Sequence, residues 1–167
     1  MKIDGHPYRT IWLDGDAASV NVIDQTQLPH RFAIRRLRGL DDAVEAIGGM
    51  TVRGAPLIGA TAAYGLALAM HENPSSAHLD HACARLAATR PTAINLRWAL
   101  TRLSARIAAA PEQDRRALAY LLAADLCDED VAINRAIGQA GAAVIAEAWQ
   151  RLGRARPVQV LTHCNAG

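Results

Sequence analysis

Three segments combine residue types that suit chemistry on a small anion. The first is Thr51-Val52-Arg53-Gly54-Ala55-Pro56-Leu57-Ile58-Gly59. Pro56 fits the first turn of a helix, where its missing N–H costs nothing. Gly54 lets the backbone come close to a ligand. Free N–H groups and the positive end of the helix dipole attract an anion, with Arg53 beside them. A helix start with a solvated arginine has the same pattern. The second segment, Thr89-Arg90-Pro91-Thr92-Ala93-Ile94-Asn95-Leu96-Arg97-Trp98, repeats the design. Two such sites in one small domain can converge on one phosphate or carboxylate. Asn95 and Arg97 read as a polar helix face, and Trp98 is expected in the core. The third segment is Thr162-His163-Cys164-Asn165-Ala166-Gly167. Cys164 follows an apolar run, in a loop that would lead to a helix N-terminus in an α/β domain. Such a place lowers a thiol pKa and suits a nucleophile or proton carrier. A small buried hydrophobe is the plainer role for a cysteine.

Other candidates are weaker. His78 and His81 share a helix face, but Cys83 points elsewhere, so no zinc site is expected. Asp125–Asp130 reads as a solvated helix start around Cys127. Arg35, Arg36 and Arg38 form a small basic cluster without interleaved aromatics, which argues against nucleic acid. There is neither a GxGxxG nor a Walker motif.

The elements that must position these residues follow from composition and period. The chain has 167 residues, 51% of them hydrophobic and 20% charged, enough for one folded domain with a core. Net charge is +2, too small to argue for DNA or RNA. Lys2 is the only lysine among 18 basic residues, so positive charge is almost wholly arginine, the residue that grips oxyanions in a fork. Alanine fills 35 positions and aromatics only 4%, which predicts closely packed helices. The longest uncharged run, Gly54 to Met70, is shorter than a membrane span and contains Pro56 and three glycines. The three cysteines, Cys83, Cys127 and Cys164, lack a CxxC spacing, and reduced thiols in a cytoplasm are expected.

Residues 10–13, 19–23 and 31–37 read as an antiparallel meander. Helices are expected at 41–47, 56–71, 77–88, 91–110, 112–126 and from 128 or 129 to 152. Val158-Gln159-Val160-Leu161-Thr162 then reads as a buried strand. The expected fold class is an α+β N-terminal domain, a small antiparallel sheet plus a helical bundle, over residues 1–153. Residues 154–167 are expected to be the first strand and loop of a truncated Rossmann-like α/β domain, which would make the chain a fragment; an ordinary C-terminal strand pairing with the N-terminal meander has the same pattern.

Taken together, in order and spacing, the three segments resemble those of the methylthioribose-1-phosphate isomerase family, and residues 8–24 are similar to that family's start. The resemblance covers the whole chain but about half of the family's usual length. It implies an N-terminal sheet-plus-bundle domain joined to a Rossmann-like one, working as a homodimer in methionine salvage. The implied reaction is the aldose–ketose isomerisation of 5-methylthioribose 1-phosphate to 5-methylthioribulose 1-phosphate, without cofactor or metal. Arg53, Gly54, Ala55 and Arg90 match the family's substrate-binding positions, and Cys164 its active-site cysteine. The family's catalytic Asp has no counterpart in these 167 residues. A ribose-1,5-bisphosphate isomerase shares this fold and chemistry. Regulatory subunits of the initiation factor 2B type share the fold and act by assembly. The complete Cys loop and both Arg-Pro segments favour the enzyme.

Overall fold

The computed structural model describes residues 2–3 and 5–163. Its first unit ends at Leu126 and its second begins at Cys127.

The first unit opens with a two-residue hairpin, β1 (Lys2–Ile3) against β2 (His6–Pro7). A three-stranded antiparallel sheet follows in the order β3 (Ile11–Leu13), β4 (Val20–Ile23), β5 (Ile34–Leu37). Val20 pairs Leu13 on one side and Leu37 on the other, while Val22 pairs Ile11 and Arg35. All of β4 is buried, as a central strand with β-branched residues should be. The β3–β4 turn is closed by Asp16, whose carboxylate accepts from the backbone N–H groups of Ala18 and Ser19 and from the Ser19 hydroxyl. Arg36 reaches across from β5 to pair with Asp14 and Asp16. These donors, Ser19 and Ala18 first, hold the Asp16 carboxyl well below the usual carboxylate range.

Four helices then surround one another: α1 (Leu40–Gly48), α2 (Ala55–Glu72), α3 (Ser76–Thr89) and α4 (Ile94–Ala109). Helix α2 is the centre. It is apolar nearly all round, buried from Leu57 to Met70, and packs on α1, α3 and α4. Helix α1 buries only Leu40, Ala43, Ala46 and Ile47, one stripe at helical spacing. A short 3₁₀ turn (Glu112–Asp114) leads into α5 (Arg115–Arg151). Arg115 is buried at the junction. Its guanidinium donates to the carbonyls of Ala108 and Ala110 at the end of α4, and to the Pro74 carbonyl and Ser76 hydroxyl at the start of α3.

The second unit contains the later part of α5 and the residues after it. Two expectations are corrected here. The acidic run 125–130 is not a helix start: α5 continues through it unbroken, because no Pro or Gly interrupts the run and acidic residues are tolerated on an exposed helix face. Val158–Thr162 forms no strand. A strand exists by pairing with a neighbour, and no other described residue pairs with this segment. What stands is an α+β region, a small antiparallel sheet followed by five helices.

Candidate functional site

The chain ahead of Arg53 is tied down on both sides. The Val52 N–H donates to the Ala46 carbonyl of α1, and the Gln25 N–H donates to the Thr51 carbonyl. Thr51 and Val52 are buried, so Arg53 emerges exposed from an anchored segment. Gly54 follows with φ 86°, a left-handed conformation that favours glycine, and α2 begins at Ala55 with Pro56 in its first turn. No side chain caps this helix start.

The second start differs from expectation in detail. Pro91 does not open α4 but lies in a turn closed by the Ala93 N–H donating to the Arg90 carbonyl. A residue before proline is kept out of the helical region, and Arg90 has φ −146° and ψ 81°. Helix α4 therefore begins at Ile94, also without a side-chain cap. Arg97 folds back over the turn, its guanidinium donating to the Pro91 carbonyl at 2.8 Å. The other two starts are satisfied internally: Ser75 accepts from the His78 N–H at α3, and Glu72 accepts from the Leu40 N–H at α1.

Helices α2 and α4 bring the uncapped starts together. A Cβ on Gly59 would stand 3.1 Å from the Asn95 carbonyl oxygen and 3.7 Å from Ala99. Gly59 lies about 6 Å along α2 from its start, and Asn95 is the second residue of α4, so the two starts are on the order of 10 Å apart. Arg53 is exposed and Arg90 half-buried, and among the described residues neither has a carboxylate partner. Arg36 and Arg35, by contrast, are paired with Asp14, Asp16 and Glu45.

The remaining candidates separate. Cys164, with Asn165, Ala166 and Gly167, lies outside the described residues. Burial pushes the Cys83 thiol up, against weaker help from Ser104, which makes it a poor nucleophile. His78 and His81 have ring centroids 6.1 Å apart, and no group of three metal-binding side chains exists among the described residues. Trp98 is not core: it is 47% exposed on α4, with the Arg102 guanidinium 5.3 Å from its ring centroid. Sequence reasoning missed the Gly59–Asn95 crossing, whose only trace is the small-residue character of α2. It also missed the partnership of Arg97 with Pro91.

Two helix starts without side-chain caps, each preceded by an arginine, thus lie on one α+β unit. Residues 51–167 match the Initiation factor 2 subunit family, and the chain belongs to that family. It is 60% identical over 167 residues to the methylthioribose-1-phosphate isomerase of Methylorubrum populi, an alignment covering all of this chain and 45% of that protein. The chain thus spans less than half the length of such isomerase relatives. Among solved structures it resembles 5-methylthioribose 1-phosphate isomerase from Pyrococcus horikoshii OT3, with TM-score 0.67 and 37% identity over 74% of this chain and 36% of that one. It equally resembles translation initiation factor eIF-2B subunit delta from A. fulgidus, with TM-score 0.69 and 34% identity over 75% and 38%. No helix among the described residues is long and apolar enough to cross a membrane.

Proposed function

We propose that the full-length protein isomerises 5-methylthioribose 1-phosphate to 5-methylthioribulose 1-phosphate in methionine salvage, as a homodimer. The observation that carries this reading is the pairing of the α2 and α4 starts, each flanked by an arginine without a carboxylate partner. Two folds of similar TM-score, an isomerase and a translation factor subunit, support the architecture alike. The 60% identity to a named isomerase along the whole chain favours catalysis.

In this reading Arg53, the N–H groups of the Gly54-Ala55 start, and Arg90 hold the substrate phosphate. A dianion there meets two guanidinium groups and two helix dipoles, each favourable to negative charge. Phosphate on the anomeric oxygen prevents simple ring opening, so the reaction begins on the closed ring. An acid protonates the ring oxygen and its bond to C1 breaks. Hydrogen then moves from C2 to C1, and the C2 hydroxyl becomes the ketone as it gives up its proton. Cys164 acts at C1 and C2, either as the proton carrier or as a stabiliser of a hydride shift. Residues 154–167 are assigned to the beginning of a Rossmann-like domain.

Steady-state assays of the full-length protein on 5-methylthioribose 1-phosphate test the function. Cys164→Ser is expected to lower kcat by about 100-fold or more while KM stays within a few-fold, the pattern of a group acting in the transition state. Near-normal turnover by that variant removes Cys164 from the mechanism. Deuterium placed at C2 separates the two hydrogen-transfer routes: retention in product marks a hydride shift, and loss to solvent marks a proton carrier.

A further inference from the structure

The segment that carries Arg53 is held in a constrained backbone shape. Met50 has φ 61° and Gly54 has φ 86°, so two left-handed residues bracket Thr51-Val52-Arg53. Glycine adopts that conformation without strain. Methionine does not, and it stays there only where the surroundings impose it. Two backbone hydrogen bonds supply part of the hold, from the Gln25 N–H to the Thr51 carbonyl and from the Val52 N–H to the Ala46 carbonyl. A side chain supplies the rest.

That side chain is Arg35 on β5. One terminal nitrogen of its guanidinium, Nη2, lies 2.8 Å from the Glu45 carboxylate on α1. The other, Nη1, donates to the Thr51 hydroxyl at 3.5 Å. Thr51 is buried, and among the described residues Arg35 alone meets its hydroxyl. Asp24, just after β4, stands near the same guanidinium. Its carboxyl is held below its usual range, first by the Thr26 hydroxyl and in smaller part by the Arg35 charge. A planar fork can serve two partners at once in one fixed geometry, which a point charge on a flexible stem does not.

We propose that Arg35 is a positioning residue: by tying Thr51 to β5 and α1, it sets the direction in which Arg53 and the Gly54-Ala55 N–H groups meet the substrate anion. This rests on the sugar-phosphate reading above. Arg35 touches no reacting atom and acts through Arg53, two residues beyond Thr51. Arg53 has no carboxylate partner among the described residues, so its direction depends on the segment that presents it. A displacement of about 1 Å in such a segment is enough to lower a rate sharply. The Arg35–Glu45 pair is open to water, with the Glu45 side chain 68% exposed, so it adds little to stability. Loss of Arg35 should therefore register in the site more than in the fold.

The test is a kinetic one on the full-length protein with 5-methylthioribose 1-phosphate. Arg35→Met is expected to lower kcat/KM about tenfold, but by about twofold or less when Arg53 is already alanine. Thr51→Val removes the acceptor while keeping the shape, and should cost about as much as Arg35→Met. Thr51→Ser keeps the hydroxyl and should stay within about twofold of wild type. Glu45→Gln, at an exposed helix position, reads the same network without touching the core, with a loss of about threefold. Urea midpoints of these variants should stay close to that of wild type. Equal losses from Arg35→Met with and without the Arg53 side chain overturn the proposal. So does a lowered urea midpoint with kcat/KM unchanged. A wild-type protein that does not isomerise the substrate, or an Arg53→Ala variant that behaves as wild type, overturns the sugar-phosphate reading itself, before Arg35 is altered.

Discussion

Arg53 and Arg90 differ from most of their neighbours in what they lack. Arg36 closes the β3–β4 turn against Asp14 and Asp16, and the guanidinium N–H groups of Arg115 are committed to backbone carbonyls inside the fold. The same contrast separates the cysteines. Cys83 is half-buried with its thiol pushed up, a packing residue, and the proposed chemistry falls to Cys164. Asp16 carries a pH consequence. Its carboxyl is held low in the folded chain, mainly by the Ser19 and Ala18 N–H groups, and titrates near 3.9 when unfolded. A depressed pKa contributes stability that is present above the unfolded value and lost as pH falls through the folded one. Urea midpoints measured from pH 6 to pH 2 should therefore fall less steeply for Asp16→Asn than for wild type. Parallel curves would remove Asp16 from the acid response.

At the scale of elements, the helix junctions hold the site's geometry. Arg115 joins the end of α4 to the starts of α3 and α5. Arg115→Met should cost about 2 kcal/mol, because it strips the donor from three part-buried carbonyls at once, and the urea midpoint reads it. A loss under 1 kcal/mol would mean that water replaces the guanidinium there. Helix spans and the sheet were readable from period and punctuation: residues 56–71 were expected for α2, which runs Ala55–Glu72. The uninterrupted length of α5 was not, because an acidic run looks the same at a helix start and on an exposed helix face. The expected strand at 158–162 shows the limit of local pattern, since a strand requires a partner from elsewhere. For the candidate site, the α2 start after Gly54 was legible through Pro56, whereas Pro91 marked a turn ahead of α4 and not its first residue. That the two starts meet depends on Gly59 lying against Asn95, a tertiary contact with no sequence motif. Trp98 was misjudged because large aromatic residues are usually buried, and its exposure appears only once α4 is placed.

For the molecule as a whole, the chain spans about 45% of its isomerase relatives. The resemblance puts the catalytic Asp of that family outside these residues. Residues 1–167 alone are therefore expected to show no turnover of 5-methylthioribose 1-phosphate, and measurable isomerisation by this piece would contradict the division of acid and thiol between two parts of the protein. The central claim is that Arg53 and Arg90 hold one anion between two helix starts. A double-mutant cycle on the full-length protein tests it most directly, with kcat/KM for 5-methylthioribose 1-phosphate measured in wild type, Arg53→Ala, Arg90→Ala and the double variant. Two arginines on one phosphate should each cost about 10- to 100-fold, with a coupling energy of about 1–3 kcal/mol between them. Strictly additive losses, or single variants that behave as wild type, would contradict the account.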